Sequence, residues 1–241
     1  MRLAFIADIH GNARALQSVL EDIEKRKVDQ LFVLGDLSYR GLEPQKCVEM
    51  IQKLDANVIK GNADEWIVRG VQEGEVPDDV IEDMNEEKDW SSSQMSSEAI
   101  SYLDKLDKEI DEDFDGVHVH GFHATPDDLF KVVLPSESDE MMKEELMTNE
   151  MADIYVYGHI HKPYIRHIDG KIIINTGSVG LPFDGLAQPS YAVVDVEDGG
   201  VQTSIIRTNY NLEELVEDVK ESDYPQKELL MKLLMNASVN D

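Results

Sequence analysis

The chain has 241 residues and carries 22 basic against 50 acidic side chains, a formal charge of −28 at pH 7. Charge of that sign opposes binding to a nucleic-acid duplex or to an anionic membrane, so neither is expected as a partner. Cys47 is the single cysteine, which excludes an intrachain disulfide and fits a reducing, cytoplasmic setting, and the apolar run before Asp8 is too short for a signal peptide or a membrane span.

In chain order, the first elements alternate. A strand is predicted over 3–7, a helix over 13–27 opened by Asn12, a strand over 31–34, a helix over 44–54 entered at Pro44, and a strand from Ala56 through Val58-Ile59. Residues 72–115 are acidic and poor in strand signals, with helix patterns over 77–85 and 96–106, and read as a helical insertion. Ser91-Ser92-Ser93 between them reads as a loop or cap. Beyond Gly116 strands return at 117–119, 154–157, 172–175, 191–196 and 201–206, with His167 in a hairpin, and helices over 212–221 and 225–236 follow. The length suits one domain over 1–241.

Strand signals in this chain end in residues able to bind metal: Asp8-Ile9-His10, Gly35-Asp36, Gly61-Asn62, His123 before Ala124-Thr125-Pro126, and Gly158-His159-Ile160-His161. Parallel strands of one sheet deliver their carboxyl ends to a common edge, so these residues are expected to converge. A dinuclear centre needs this mixture: hard oxygens to neutralise charge, imidazoles to fix geometry, and a carboxylate to bridge ions about 3.5 to 4 Å apart. A lone Asp-x-His arises by chance, whereas the ordered set is a specific signal. His118 and His120 share one strand face, and His120-Gly121 competes with His123 as the ligand.

The order D-x-H, G-D, G-N-x-D/E, H, G-H-x-H resembles the calcineurin-like metallophosphoesterase superfamily. Asp8-Ile9-His10-Gly11-Asn12 and Asn175-Thr176-Gly177-Ser178-Val179-Gly180-Leu181-Pro182 are similar to its small bacterial and archaeal branch of phosphodiesterases and diadenosine-tetraphosphate hydrolases. The resemblance implies an α/β fold, a four-layer αββα sandwich of two mixed sheets flanked by helices. It implies that Asp8, His10, Asp36 and His161 hold one divalent ion while Asp36, Asn62, His123 and His159 hold a second, with Asp36 as the bridge. A hydroxide between the ions would then attack phosphorus in line, with Asp36, Asn62 and His10 carrying the catalytic roles. Manganese is the expected metal; iron, zinc and cobalt suit the same donors. The expected substrate is a small phosphorylated molecule, a nucleotide such as diadenosine tetraphosphate.

Substrate contacts are expected from Asn62, from Asn12 at a helix start, and from Gly177 and Ser178, whose loop offers either a phosphate-binding nest of N–H groups or only a tight turn. The sequence departs from the family pattern at Ala63, where many relatives place a histidine that touches phosphate and protonates the leaving group. Alanine does neither, which favours phosphoanhydrides and activated diesters over alkyl esters. Phe183 stands where relatives often carry a basic residue, and Arg40 and Lys162 are available in its place. Two alternatives stay open: an inactive binding scaffold, for which Ala63 is the argument, and a phosphoprotein phosphatase. Trp66 and Trp90 read as anchors of the insertion rather than nucleobase platforms, Cys47 as an inward-facing helical residue, and Met141, Met142, Met147, Met151, Met231 and Met235 as core filler.

Overall fold

The computed structural model describes residues 1–197 and 200–239. Strand β1 (Arg2–Ile6), helix α1 (Ala13–Arg26), strand β2 (Gln30–Val33), helix α2 (Pro44–Gln52) and strand β3 (Ala56–Val58) form a parallel β-α-β-α-β run. Helices α3 (Asn62–Arg69), α4 (Ile81–Ser93) and α5 (Ser97–Asp104) follow, then strands β4 (Glu109–Phe114) and β5 (Val117–Phe122), helix α6 (Asp139–Leu146), and strands β6 (Ile154–Tyr157), β7 (Tyr164–Ile168) and β8 (Lys171–Asn175). Strands β9 (Ser190–Glu197) and β10 (Gly200–Arg207) pair antiparallel and lead into helices α7 (Leu212–Glu221) and α8 (Lys227–Asn236).

Two mixed sheets result, one in the order β10-β9-β1-β2-β3 and one in the order β4-β5-β6-β8-β7. Strand alternation sorts the side chains between layers. Leu3, Phe5 and Ala7 of the first sheet face Val119, Ile154, Val156 and Ile174 of the second, while Ala4 and Ile6 face Leu16 and Val19 of α1. At the centre of the inner layer, Phe5 stacks on Phe32 at 4.7 Å between ring centroids, and Phe114 meets Phe32 edge-on at 5.7 Å. Burying one such ring contributes roughly 2 to 3 kcal/mol. On the outer face of the second sheet, Met142 and Leu146 of α6 pack against Phe122, Tyr155 and Tyr157. Helices outside each sheet complete the four-layer sandwich.

Three expectations need correction. Residues 109–114, read as strand-poor, are an edge strand: Ile110 and Phe114 point inward while Glu109, Asp111 and Glu112 stay out of the core. Outward acids hide the strand pattern, and they also discourage pairing with another chain. Ser91, Ser92 and Ser93 are the last turn of α4 rather than a loop. The Ser92 and Ser93 hydroxyls donate to the carbonyls of Asp89 and Trp90, which lets serine stay helical. Met142 fills the core as expected, but Met141, Met151 and Met235 are exposed.

Candidate metal centre

The sheet topology brings the candidate ligands to one edge. Asp8 and His10 follow β1, Asp36 follows β2, Asn62 opens α3 just beyond β3, His123 follows β5, and His159 and His161 follow β6. Asp8, His10, Asp36, His159 and His161 all have positive φ, from 48° to 66°. Strained backbone of this kind persists only where surrounding structure enforces it, and it concentrates at functional sites.

Asp8, His10, Asp36 and His161 are all buried, and each places a donor atom within 4.8 Å of the others. His10 Nε2 lies 3.1 Å from His161 Nε2 and 3.6 Å from Asp36 Oδ2, and His161 Nε2 lies 3.3 Å from Asp8 Oδ1. The far side of Asp36 meets a second group. His123 Nε2 is 3.4 Å from Asp36 Oδ2 and 2.8 Å from Asn62 Oδ1, which also lies 2.8 Å from His159 Nδ1. His120 is elsewhere, paired with Glu109 and packed edge-on against Phe122 and Tyr155, so His123 alone of the two competitors reaches the cluster.

Backbone carbonyls fix the imidazoles. Nδ1 of His10 donates to the Tyr39 carbonyl at 2.8 Å, Nδ1 of His123 to that of Leu34 at 2.7 Å, and Nδ1 of His161 to that of Leu181. A carbonyl only accepts, so Nδ1 must carry hydrogen and Nε2 is turned to the cluster. Asp8 Oδ1 and His159 Nε2 are buried with no hydrogen-bond partner among the described residues. Nitrogens turned on one another beside two buried carboxylates are unfavourable unless a cation lies among them, so the donor set fits divalent metal.

Charge follows the same geometry. Burial, reinforced by the facing His161, lowers His10 to about 4, and burial with His123 alongside lowers His159 to about 4. For Asp36, burial opposes ionisation, but His123 and His10 overcome it and hold the carboxyl well below the usual carboxylate range. Burial works against the His123 imidazolium too, yet Asp36 outweighs it and lifts this group to about 9. Without metal His123 therefore keeps its proton through neutral pH, whereas a ligating imidazole must give it up. Metal affinity is expected to rise with pH between about 7 and 9, with close to one proton released per centre filled. Calorimetry in buffers of differing ionisation enthalpy measures that release, and a pH-independent affinity contradicts it.

Sequence reasoning missed the supports. Asp64, fully buried, accepts from the N–H groups of Asp36 at 2.8 Å, Leu37 at 2.9 Å and Gly61 at 2.9 Å, tying the Asp36 loop to the start of α3. Burial and the nearby Asp36 nevertheless push this carboxyl up to about 7. The acid in the G-N-x-D/E pattern was the available signal. Gly61 permits the close approach: a Cβ there would stand 2.1 Å from Asp36 Oδ1.

Three residues expected at the substrate, Asn12, Gly177 and Ser178, bond within the fold. The Asn12 side chain caps α1 through Ala15 N at 3.0 Å and donates to the Gly180 carbonyl at 3.0 Å, so both ends of its amide are spent on the fold. In the 175–182 loop, Gly177 N donates to Asn175 Oδ1, Val179 N to the Ala7 carbonyl and Gly180 N to the Asp8 carbonyl, while the Ser178 hydroxyl donates to the Asp8 carbonyl at 2.7 Å. The N–H groups of Gly177, Val179 and Gly180 are thus engaged within the fold, and the loop buttresses Asp8. Phe183 stacks flat on His161, with ring centroids 4.4 Å apart, and brings no charge. The tryptophans are anchors: Trp66 packs on Tyr39 and Phe130, and Trp90 on Tyr224. Cys47 is buried and its thiol is pushed up by desolvation, which leaves it unreactive.

The family model of the calcineurin-like phosphoesterase superfamily domain matches residues 1–199. The chain belongs to this superfamily. This phosphoesterase is similar to the uncharacterized protein MJ0912 of Methanocaldococcus jannaschii, with 28% identity over 242 residues, 93% of this chain and 94% of that relative. Among solved structures, a metallophosphoesterase from Sphaerobacter thermophilus matches with a TM-score of 0.77 at 24% identity over 98% of this chain and 99% of its own. The hypothetical protein PH1004 from Pyrococcus horikoshii OT3 matches with a TM-score of 0.84 at 20% identity over 98% of each chain. Those two likenesses establish the fold. Family membership makes the chain a divalent-metal-dependent hydrolase of phosphoester bonds.

Proposed function

We propose that this phosphoesterase hydrolyses phosphodiester or phosphoanhydride bonds of small nucleotides, with diadenosine tetraphosphate as the leading candidate, at a centre for two divalent ions, manganese first among them. The observation that carries this reading is the position of Asp36, whose Oδ2 lies 3.6 Å from His10 Nε2 on one side and 3.4 Å from His123 Nε2 on the other. Asp8, His10 and His161 would hold one ion with Asp36, and Asn62, His123 and His159 the second. When bound, such ions supply a nucleophilic water at neutral pH and neutralise charge developing on the phosphoryl oxygens. The protein's own part is to fix the donors, through the carbonyl ties of three imidazoles and the Asp64 clamp, and to leave Asp8 Oδ1 and His159 Nε2 unspent. A scaffold has no use for that arrangement. One unit over 1–241 is supported by Leu215, Leu230 and Leu234 of the last two helices, which pack on Leu181 in the buttress loop. A cytoplasmic setting is favoured by the lone buried thiol, and among the described residues no helix is long and apolar enough to cross a membrane.

Ala63 sets the bond class. It is wholly buried and its N–H donates to Asp36 Oδ1 at 2.7 Å, so position 63 orients the carboxylate but has no proton for a departing alkoxide. Across a series of diesters, rates are expected to fall by about a hundredfold to ten-thousandfold from aryl to alkyl leaving groups. A flat dependence on leaving-group pKa means that another acid operates. For the substrate, chromatography of diadenosine tetraphosphate incubated with protein and manganese, against a chelated control, is the direct test. ATP plus AMP identifies asymmetric cleavage and two ADP symmetric cleavage. Intact substrate in both samples overturns the leading candidate and moves the assay to other diesters.

A further inference from the structure

Glu87 lies on α4, outside the metal-binding motifs, and is 1% exposed. A carboxylate buried so deeply is costly unless several donors reach it. Four do, from two distant segments. Tyr39 Oη donates at 2.9 Å, Arg40 Nε at 3.0 Å, Arg40 Nη2 at 2.7 Å and Tyr224 Oη at 3.1 Å.

Tyr39 is thereby held at both ends. Its hydroxyl is fixed by Glu87, and its carbonyl receives His10 Nδ1–H at 2.8 Å, the bond that turns His10 Nε2 toward the cluster. Arg40, next in the chain, sits at a φ of 63°, a conformation that needs outside support, and its guanidinium is the cation paired with Glu87. A route of direct contacts therefore runs from α4 through Tyr39 to the ring of His10.

We propose that Glu87 is a positioning residue for His10: it fixes the Tyr39-Arg40 segment, and the segment's carbonyl sets the imidazole for metal. This inference rests on the metal centre of the proposed function. If Glu87 only pinned α4 to the body, its loss would lower stability and leave metal binding intact.

The test is a Co(II) titration of the full chain freed of metal, followed by calorimetry and visible absorption, with circular dichroism and thermal melts as controls for folding. Glu87→Gln keeps the side chain's size but removes the countercharge of Arg40. The expected result is a loss of about tenfold in affinity at one of two sites, with the other unchanged and the melt still cooperative. Tyr39→Phe removes the hydroxyl's bonds to Glu87 and to the Met84 carbonyl, both on α4, and should weaken the same site by a smaller factor; it decides the matter if Glu87→Gln does not fold. Asn85→Ala, which removes the bonds of α4 to Val71 and touches none of Tyr39, Arg40 and Tyr224, should leave both affinities in place. Equal Co(II) affinities in the wild type and in folded Glu87→Gln overturn the inference alone, as does an equal loss in Asn85→Ala. No binding by the wild type overturns the metal centre together with it.

Discussion

Asp36→Ala is expected to remove metal-dependent turnover by at least about a thousandfold, roughly 4 kcal/mol of transition-state stabilisation, in a protein that still folds. The activity loss follows from geometry, since Asp36 is the carboxylate close to both His10 and His123 and no other acidic group in the cluster touches both. The modest structural cost follows from two opposed effects. The Ala63 N–H loses its acceptor, and His123 loses the charge that lifts it to about 9. Against this, the buried Asp64 carboxyl loses the like charge that, after burial itself, pushes it up to about 7. A carboxyl whose pKa is raised on folding contributes stability at low pH that is lost as pH climbs through the folded value, so above about pH 7 the Asp36 charge is a burden on Asp64. Melting temperatures of the chelated proteins at pH 8 should accordingly agree within about 5 °C. Turnover of Asp36→Ala at the wild-type rate would sink the assignment of the centre.

Gly180→Ala should damage the fold and the centre together. A Cβ at this position would stand 1.8 Å from the Ile9 carbonyl oxygen and 2.7 Å from its carbon, and both are backbone atoms with no rotamer to yield. Either Asp8-Ile9-His10 or the 175–182 loop must move, and the two are joined by Val179 N to the Ala7 carbonyl and Gly180 N to the Asp8 carbonyl. Overpacking of this severity costs about 3 kcal/mol or more. Denaturant unfolding should show that loss, and metal titration should show weakened binding at the site that includes Asp8. A variant of normal stability and metal affinity, altered only in KM, would restore the loop as a direct phosphate contact.

Much of this was legible in the sequence, for reasons tied to residue type. Asp8, Asp36, His123, His159 and His161 follow Val- and Ile-rich strands, and a hydrophobic run ending in a polar ligand reads the same in one dimension as in three. The strand carrying Glu109, Asp111 and Glu112 was invisible because its exposed face is acidic and its two inward anchors are only Ile110 and Phe114. The choice between His120 and His123 was open because both lie near the end of one strand, and only the sheet's orientation sends His123 inward to Asp36. The buttress role of the Gly177-Ser178 loop and the reach of Glu87 to Tyr39 depend on contacts between segments far apart in the chain, with no periodicity to announce them.

The candidate ligands come from both sheets: Asp8, His10, Asp36 and Asn62 from the first, His123, His159 and His161 from the second. Ions held between them would clasp the two layers at one end, like a pin through the covers of a book. Away from that end the layers meet through apolar side chains, a contact that resists separation but tolerates sliding. Removing the pin would therefore free a shear motion of one layer over the other, and hydrogen exchange with and without chelator would register it across the sheet interface rather than at the loops alone.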